Sequence, residues 1–306
     1  MREATVPIDP FVDVVDGRYV DELVVVQPIA SSWPARGRGS VRTPHFDIAP
    51  SDGRLVVTHS LSRSGISDDL TGIIVDELFA PGWVRGSEMF ERIFTGVVLS
   101  SAPRALAGWE LFYGNTIQRL DELVGTSGAE AVRHGTIDAY APVYAHAEAL
   151  TLPGSVLELG CCFGFLSLRL ARAGHGVTAS DIAPGTVRLL GEVAPRLGIP
   201  VSALRADAAR VPVADGCADT VLVIHLLEHL EPDHGTLVVA EALRCAARRV
   251  VVAVPFEEEA NESYGHVRTL TLDDLAALGV ATAERSGFSW SVHEFHGGWL
   301  VFDRRA

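Results

Sequence analysis

Val156-Leu157-Glu158-Leu159-Gly160-Cys161-Cys162-Phe163-Gly164, followed about twenty residues after Gly160 by Asp181, is the stretch that decides the fold. A β-branched and apolar run carries one acid and ends at two glycines bracketing a short turn. An apolar-periodic segment, 165–173, follows at once, so the order is strand, tight loop, helix. Gly160 and Gly164 lack a Cβ, which lets the backbone turn sharply and a ligand lie against it. The helix start then offers unpaired N–H groups.

Outward from that turn, strand and helix signals alternate over 156–159, 165–173, 176–180, 185–197, 201–205, 219–224, 233–246, 248–254 and 272–278. Such alternation predicts a parallel, doubly wound α/β sheet. The end differs: 288–294 and 299–304 flank His296-Gly297-Gly298, a turn suited to an antiparallel hairpin. Upstream, 137–150 reads as an amphipathic helix with Tyr140 and Tyr144 one turn apart, and Gly125-Thr126-Ser127-Gly128 is the linker candidate.

The first part of the chain reads as a smaller α+β domain over 1–130, with the α/β domain over 131–306. Residues 18–27, 41–48 and 54–60 are expected strands of a small antiparallel sheet, the last two joined at Pro50-Ser51-Asp52-Gly53. Helical spacing follows from Ile66, with Ser67 or Asp68 as cap and Pro81-Gly82 as stop, then over 88–99 and 103–123, with Pro103 at a helix start. His45, His59 and Asp68-Asp69 are expected to be strand-surface histidines and a helix-capping acid. This domain carries no nameable catalytic motif; acceptor binding, a lid and a dimer surface are its candidate uses.

With 306 residues, 48% of them apolar, the chain can bury a sizeable core. All 25 basic residues are arginine against 39 acids, a net charge of −14, which argues against a nucleic-acid partner. The N-terminal residues lack a basic region followed by an apolar run, and no segment is apolar enough to span a membrane, so a cytoplasmic location is expected. The four cysteines have no metal-type spacing and are expected as reduced thiols. No metal site is expected, and the run Glu257-Glu258-Glu259 reads as a solvated face.

In an open α/β sheet, ligands bind at the carboxyl ends of the strands where strand order reverses. Four predicted strand ends carry polar residues there: Glu158, Asp181 with Ile182 after it, Asp207 with Ala208, and the segment from His225 through His229. Asp181 sits where an acid can accept from both ribose hydroxyls of a nucleoside, as suits NAD or S-adenosylmethionine. The turn favours the latter. A pyrophosphate wants G-x-G-x-x-G, whereas Gly160 is followed by Cys162 and Phe163 before Gly164.

These motifs, with Leu226-Leu227-Glu228-His229-Leu230, resemble those of class I S-adenosylmethionine-dependent methyltransferases over roughly residues 135–306. The family's reversed last strand matches the predicted terminal hairpin, and its pattern has glycine where Cys162 stands. The resemblance implies that Glu158 and Gly160 lie beside the methionine part of the cofactor and that Asp181 takes the ribose. It also implies that Asp207 with Ala208 flanks the adenine, that His225 or Leu226 sits near the methyl group, and that Cys162, Phe163, Gly164 and Ile182 are cofactor-binding. His229 is the first candidate base and His266 the second, because an attacking hydroxyl sheds a proton that neutral imidazole accepts near neutral pH.

In the first half, Asp16-Gly17-Arg18-Tyr19-Val20-Asp21-Glu22-Leu23-Val24-Val25-Val26, Asp52-Gly53-Arg54-Leu55-Val56-Val57-Thr58-His59 and Asp69-Leu70-Thr71-Gly72 resemble the methyltransferase family associated with mycofactocin, a peptide-derived redox cofactor of actinobacteria. That resemblance implies O-methylation of a glucose on the mycofactocin oligosaccharide, with Trp33, Trp83 or Trp109 as candidate platforms for sugar faces. Another small natural-product acceptor, or an NAD-dependent oxidoreductase, is the alternative.

Overall fold

In the computed structural model, residues 8–37, 39–125, 137–260, 265–283 and 287–305 are described. The chain divides into two compact units, Met1–Ala141 and Pro142–Ala306. The expected linker at 125–128 lies essentially outside the described residues.

The first unit holds a five-stranded sheet built from β1 (Tyr19–Val20), β2 (Val24–Pro28), β3 (Val41–Arg42), β4 (Phe46–Ser51) and β5 (Arg54–His59), in the order β1-β2-β5-β4-β3. Two expected strands are each broken in two. Between β1 and β2 the Asp21 carboxylate accepts from the amides of Leu23 and Val24, both at 2.8 Å, and so fixes a turn. Between β3 and β4 the chain reverses at Thr43, whose amide donates to the Phe46 carbonyl at 2.8 Å, with Pro44 supplying no N–H to a ladder. The expectation of an antiparallel sheet is corrected: β2 and β5 run parallel. The residues between β2 and β3 form a crossover rather than a short turn, and parallel neighbours need one. The β4–β5 hairpin is as expected, its turn residues Asp52 and Gly53 having φ of 48° and 77°.

Helix α1 (Asp69–Ile74) runs on into a π-helical turn, Val75–Phe79. It is followed by α2 (Ser87–Ser100), α3 (Ala105–Gly125) and α4 (Ile137–Leu150), within which the division between units falls. Pro103 precedes α3 by two residues instead of opening it. Helix α2 packs close on the sheet, since a Cβ at Gly96 would come 2.5 Å from Val26 Cγ2. Phe94, Trp109 and Phe112 meet edge to face or tilted beneath it.

The polar expectations for this unit change. His59 is 1% exposed, with Nε2 3.1 Å from Ser100 Oγ, because β5 lies inside the sheet. Asp68 makes no side-chain cap bond to α1; its Oδ2 instead accepts from the Ile137 amide at the start of α4.

The second unit is a seven-stranded sheet in the order β11-β12-β10-β9-β6-β7-β8. Its strands are β6 (Ser155–Leu159), β7 (Gly176–Asp181), β8 (Val201–Arg205), β9 (Ala218–Ile224), β10 (Ala246–Val254), β11 (Phe288–Glu294) and β12 (Gly298–Arg304). Helices α5 (Phe165–Arg172), α6 (Pro184–Arg196), α7 (Pro232–Cys245) and α8 (Leu272–Ala283) alternate with them. The near-continuous apolar character of β6, β9 and β10 is what burial on both faces of a parallel strand requires. From β6 the chain winds outward through β7 to β8, then returns to β9 on the other side of β6. That reversal opens a crevice at the carboxyl ends of β6 and β9. Strand β12 runs antiparallel between β10 and β11, so the doubly wound sheet with a reversed last strand is the class I methyltransferase arrangement.

Candidate active site

The glycine turn joins β6 to α5 at the crevice. Gly160 and Gly164 have φ of 73° and 76°, a region open to glycine at no steric cost. A Cβ at Gly160 would come 2.8 Å from Leu226 Cδ1, and one at Gly164 2.7 Å from Leu190 Cδ2. Gly160 thus meets Leu226, one of the two residues expected near the reacting methyl, and the first and fourth strand ends are brought together. Cys162 also takes a left-handed φ, 49°, so it adopts the conformation that glycine takes easily. Its amide donates to Asp181 Oδ2 at 2.9 Å. Phe163 packs on Phe165 with centroids 6.1 Å apart, and all four cysteines are free thiols.

The acids at this edge differ in state. Glu158 is 5% exposed, its carboxyl bonded by the Ser167 hydroxyl of α5, and burial pushes its pKa up to about 7. Asp181 accepts at Oδ1 from the Ala183 amide and at Oδ2 from Cys162, leaving further lone pairs for hydroxyl donors. Ile182 beside it is 63% exposed. Asp207 is exposed, and the Ala209 amide at 2.9 Å holds its carboxyl below the usual range, helped by His234 at 3.3 Å. Ala208 is half-buried beside it.

Beyond β9 lies a second group. His225 has φ of 51°, and burial drives its pKa down to about 4. A short 3-10 turn, Leu227–His229, then points successive side chains different ways: Glu228 is 1% exposed while His229 is exposed. Among the described residues neither Glu228 carboxyl oxygen has a hydrogen-bond partner, and burial pushes its pKa up to about 8. The His229 and His266 rings meet edge to face, 4.8 Å between centroids. His229 Nδ1 lies 3.2 Å from the Gly265 carbonyl and His266 Nδ1 2.7 Å from Glu257 Oε2. Burial, followed by the neighbouring charge of His266, lowers the His229 pKa. The two candidate bases, far apart in sequence, are therefore neighbours.

Sequence reasoning gave no role to Glu228, Glu257, Ser167 or His234. The reading of 257–259 as a solvated face holds for the exposed Glu258 and Glu259, but Glu257 turns in to His266. The acid–histidine pairs span 9 and 27 residues of sequence, so no local spacing signals them.

The residues suit S-adenosylmethionine: the turn has a cradle that a Cβ would fill, with Asp181 at the second strand end. Residues 156–248 match the family model described as a methyltransferase domain. Among solved structures the chain resembles magnesium protoporphyrin IX methyltransferase from Synechocystis PCC 6803 with bound S-adenosylhomocysteine, at 19% identity over 61% of this chain and 94% of that one, with a TM-score of 0.47. A protein from Pyrococcus horikoshii OT3 is 18% identical over 54% of this chain and 89% of that one, TM-score 0.46. A methyltransferase from Methanosarcina mazei is 16% identical over 52% and 96%, TM-score 0.42. Taken with the strand order, the family match makes the second unit an S-adenosylmethionine-dependent methyltransferase domain, with S-adenosylmethionine as its cofactor.

Proposed function

We propose that the second unit methylates a sugar hydroxyl, a glucose of the mycofactocin oligosaccharide, with His229 as general base. The observation that carries this reading is the His229 imidazole at the crevice. Its Nδ1–H donates to the Gly265 carbonyl, which leaves the lone pair on Nε2 for a proton. Its lowered pKa keeps that lone pair available at neutral pH. When bound, S-adenosylmethionine supplies an electrophilic methyl group on a sulfonium. Asp181 accepts from the ribose hydroxyls, Asp207 lies by the adenine, and Glu158 faces the methionine ammonium. Phe163, Ile182 and Leu226 cover apolar parts of the cofactor and exclude water, which strengthens alignment of the acceptor oxygen. His266, fixed by Glu257, stands beside His229 as the second candidate base.

The first unit is assigned to acceptor recognition. Trp83 is 54% exposed and offers a face for a sugar ring, whereas Trp109 is 2% exposed and bonded to the Pro10 carbonyl. Incubation with methyl-labelled S-adenosylmethionine and a glucose-bearing acceptor, read by mass spectrometry, tests the proposal. Label on a hydroxyl oxygen, lost in His229→Ala, is expected; label on nitrogen or carbon, or full activity in both His229→Ala and His266→Ala, would refute it.

A further inference from the structure

Glu228, His229 and His266 each present one ligand atom, and these atoms lie within 4.8 Å of one another. We propose that these three side chains form a binding site for a divalent transition-metal ion of the zinc type. Two imidazoles and a carboxylate make a donor set suited to Zn²⁺ or Co²⁺ rather than to Mg²⁺, which prefers oxygen and water. Each histidine is oriented as a ligand would be. A carbonyl holds Nδ1 of His229 and a carboxylate holds Nδ1 of His266, so in the ligating, deprotonated form each ring would carry its lone pair on Nε2. The Glu257–His266 pair is the carboxylate–histidine arrangement that fixes ring orientation and raises ligand basicity.

The independent observation is Glu228. Its carboxyl is 1% exposed, and neither oxygen has a hydrogen-bond partner among the described residues. His225 Nδ1, at 3.8 Å, is beyond hydrogen-bond range. Leaving a buried carboxyl in this state is costly, and a cation would relieve it. The backbone holds the loops together here: the Val267 amide donates to the Glu228 carbonyl at 2.9 Å, and Arg268 Nε to the Leu227 carbonyl at 3.0 Å. Bonds of about 2.0–2.2 Å at a tetrahedral ion put ligand atoms about 3.4 Å apart, so the set closes by side-chain rotations of about an ångström. Three protein ligands leave a coordination position open. An ion and a proton would compete for the same His229 lone pair, so the site goes beyond the base assignment and stands without it.

Titration of the chelator-treated full chain with Zn²⁺ by calorimetry, and with Co²⁺ by visible absorption, tests the site. One equivalent is expected to bind, with the intense absorption of a low-symmetry nitrogen–oxygen Co²⁺ site and no thiolate charge-transfer band. Glu228→Gln and His266→Ala should weaken binding by at least about 100-fold, and Glu257→Gln by roughly 10–100-fold. Circular dichroism and thermal unfolding identify a misfolded variant, in which case Glu257→Gln, which leaves all three ligands in place, decides. Absence of stoichiometric binding, affinity unchanged in the folded variants, or binding lost only in Cys162→Ser or Cys217→Ser overturns the proposal. None of these readouts requires methyl transfer.

Discussion

Asp207 and Glu228 stand at the same edge of the same sheet, yet their carboxyls are in opposite states. Asp207 is exposed, bonded by a backbone amide, and held below the usual carboxylate range. Glu228 is buried, lacks a hydrogen bond among the described residues, and has its pKa pushed up to about 8. The β7–β8 side is therefore furnished with fixed negative charge that hydroxyl and amino donors can meet. The side beyond β9 holds His225 and His229, whose pKa values burial lowers, and a carboxyl that gains from a proton or a cation. On the proposed reading, one half of the edge grips a nucleoside and the other moves charge.

The largest effect expected from breaking this division is at His229. His229→Ala should lower kcat by about 10²–10⁴-fold, the usual range for a general base, and leave cofactor affinity unchanged. Asp181→Ala should act the other way, weakening S-adenosylhomocysteine by roughly 10–150-fold, corresponding to about 1.5–3 kcal/mol for hydrogen bonds to a charged group. Calorimetry and steady-state kinetics separate the two.

Glu158 sharpens the comparison through pH. Its pKa of about 7 belongs to the buried, cofactor-free carboxyl, and an adjacent ammonium favours the ionised form. Binding then releases a proton below pH 7. Affinity for S-adenosylhomocysteine should rise as pH increases from 6 to 8, by up to about tenfold per unit on the acid side, and Glu158→Gln should flatten the profile. The smallest effect is at Cys162. Replacing it by glycine relieves about 1–2 kcal/mol of left-handed backbone cost and adds about 0.5–1 kcal/mol of chain entropy, so thermal unfolding should show stability unchanged or raised by about 1 kcal/mol.

Much of the second unit was legible because its signals are local. The glycine turn, the alternation of strands with helices and the His296-Gly297 reversal each depend on neighbouring residues, and β8 and β11 fall where periodicity predicts. The first unit was harder. Nothing in 24–28 says that this strand lies parallel to β5, since that depends on where a crossover lands. His59 looked like a surface residue until β5 proved to be an interior strand. The polar site beyond β9 was half legible: Leu226-Leu227-Glu228-His229-Leu230 marked the place, but the 3-10 turn decides that Glu228 points in and His229 out. Glu257 was hidden in a run of three acids, of which only one meets a histidine from the next part of the loop.

The division of the edge into a cofactor half and a reaction half is tested most directly by S-adenosylhomocysteine affinity, measured by calorimetry for the wild type, Asp181→Ala and His229→Ala side by side. The expected result is weakened binding in Asp181→Ala alone, with His229→Ala binding as tightly as the wild type. Full affinity in Asp181→Ala together with loss in His229→Ala would contradict it.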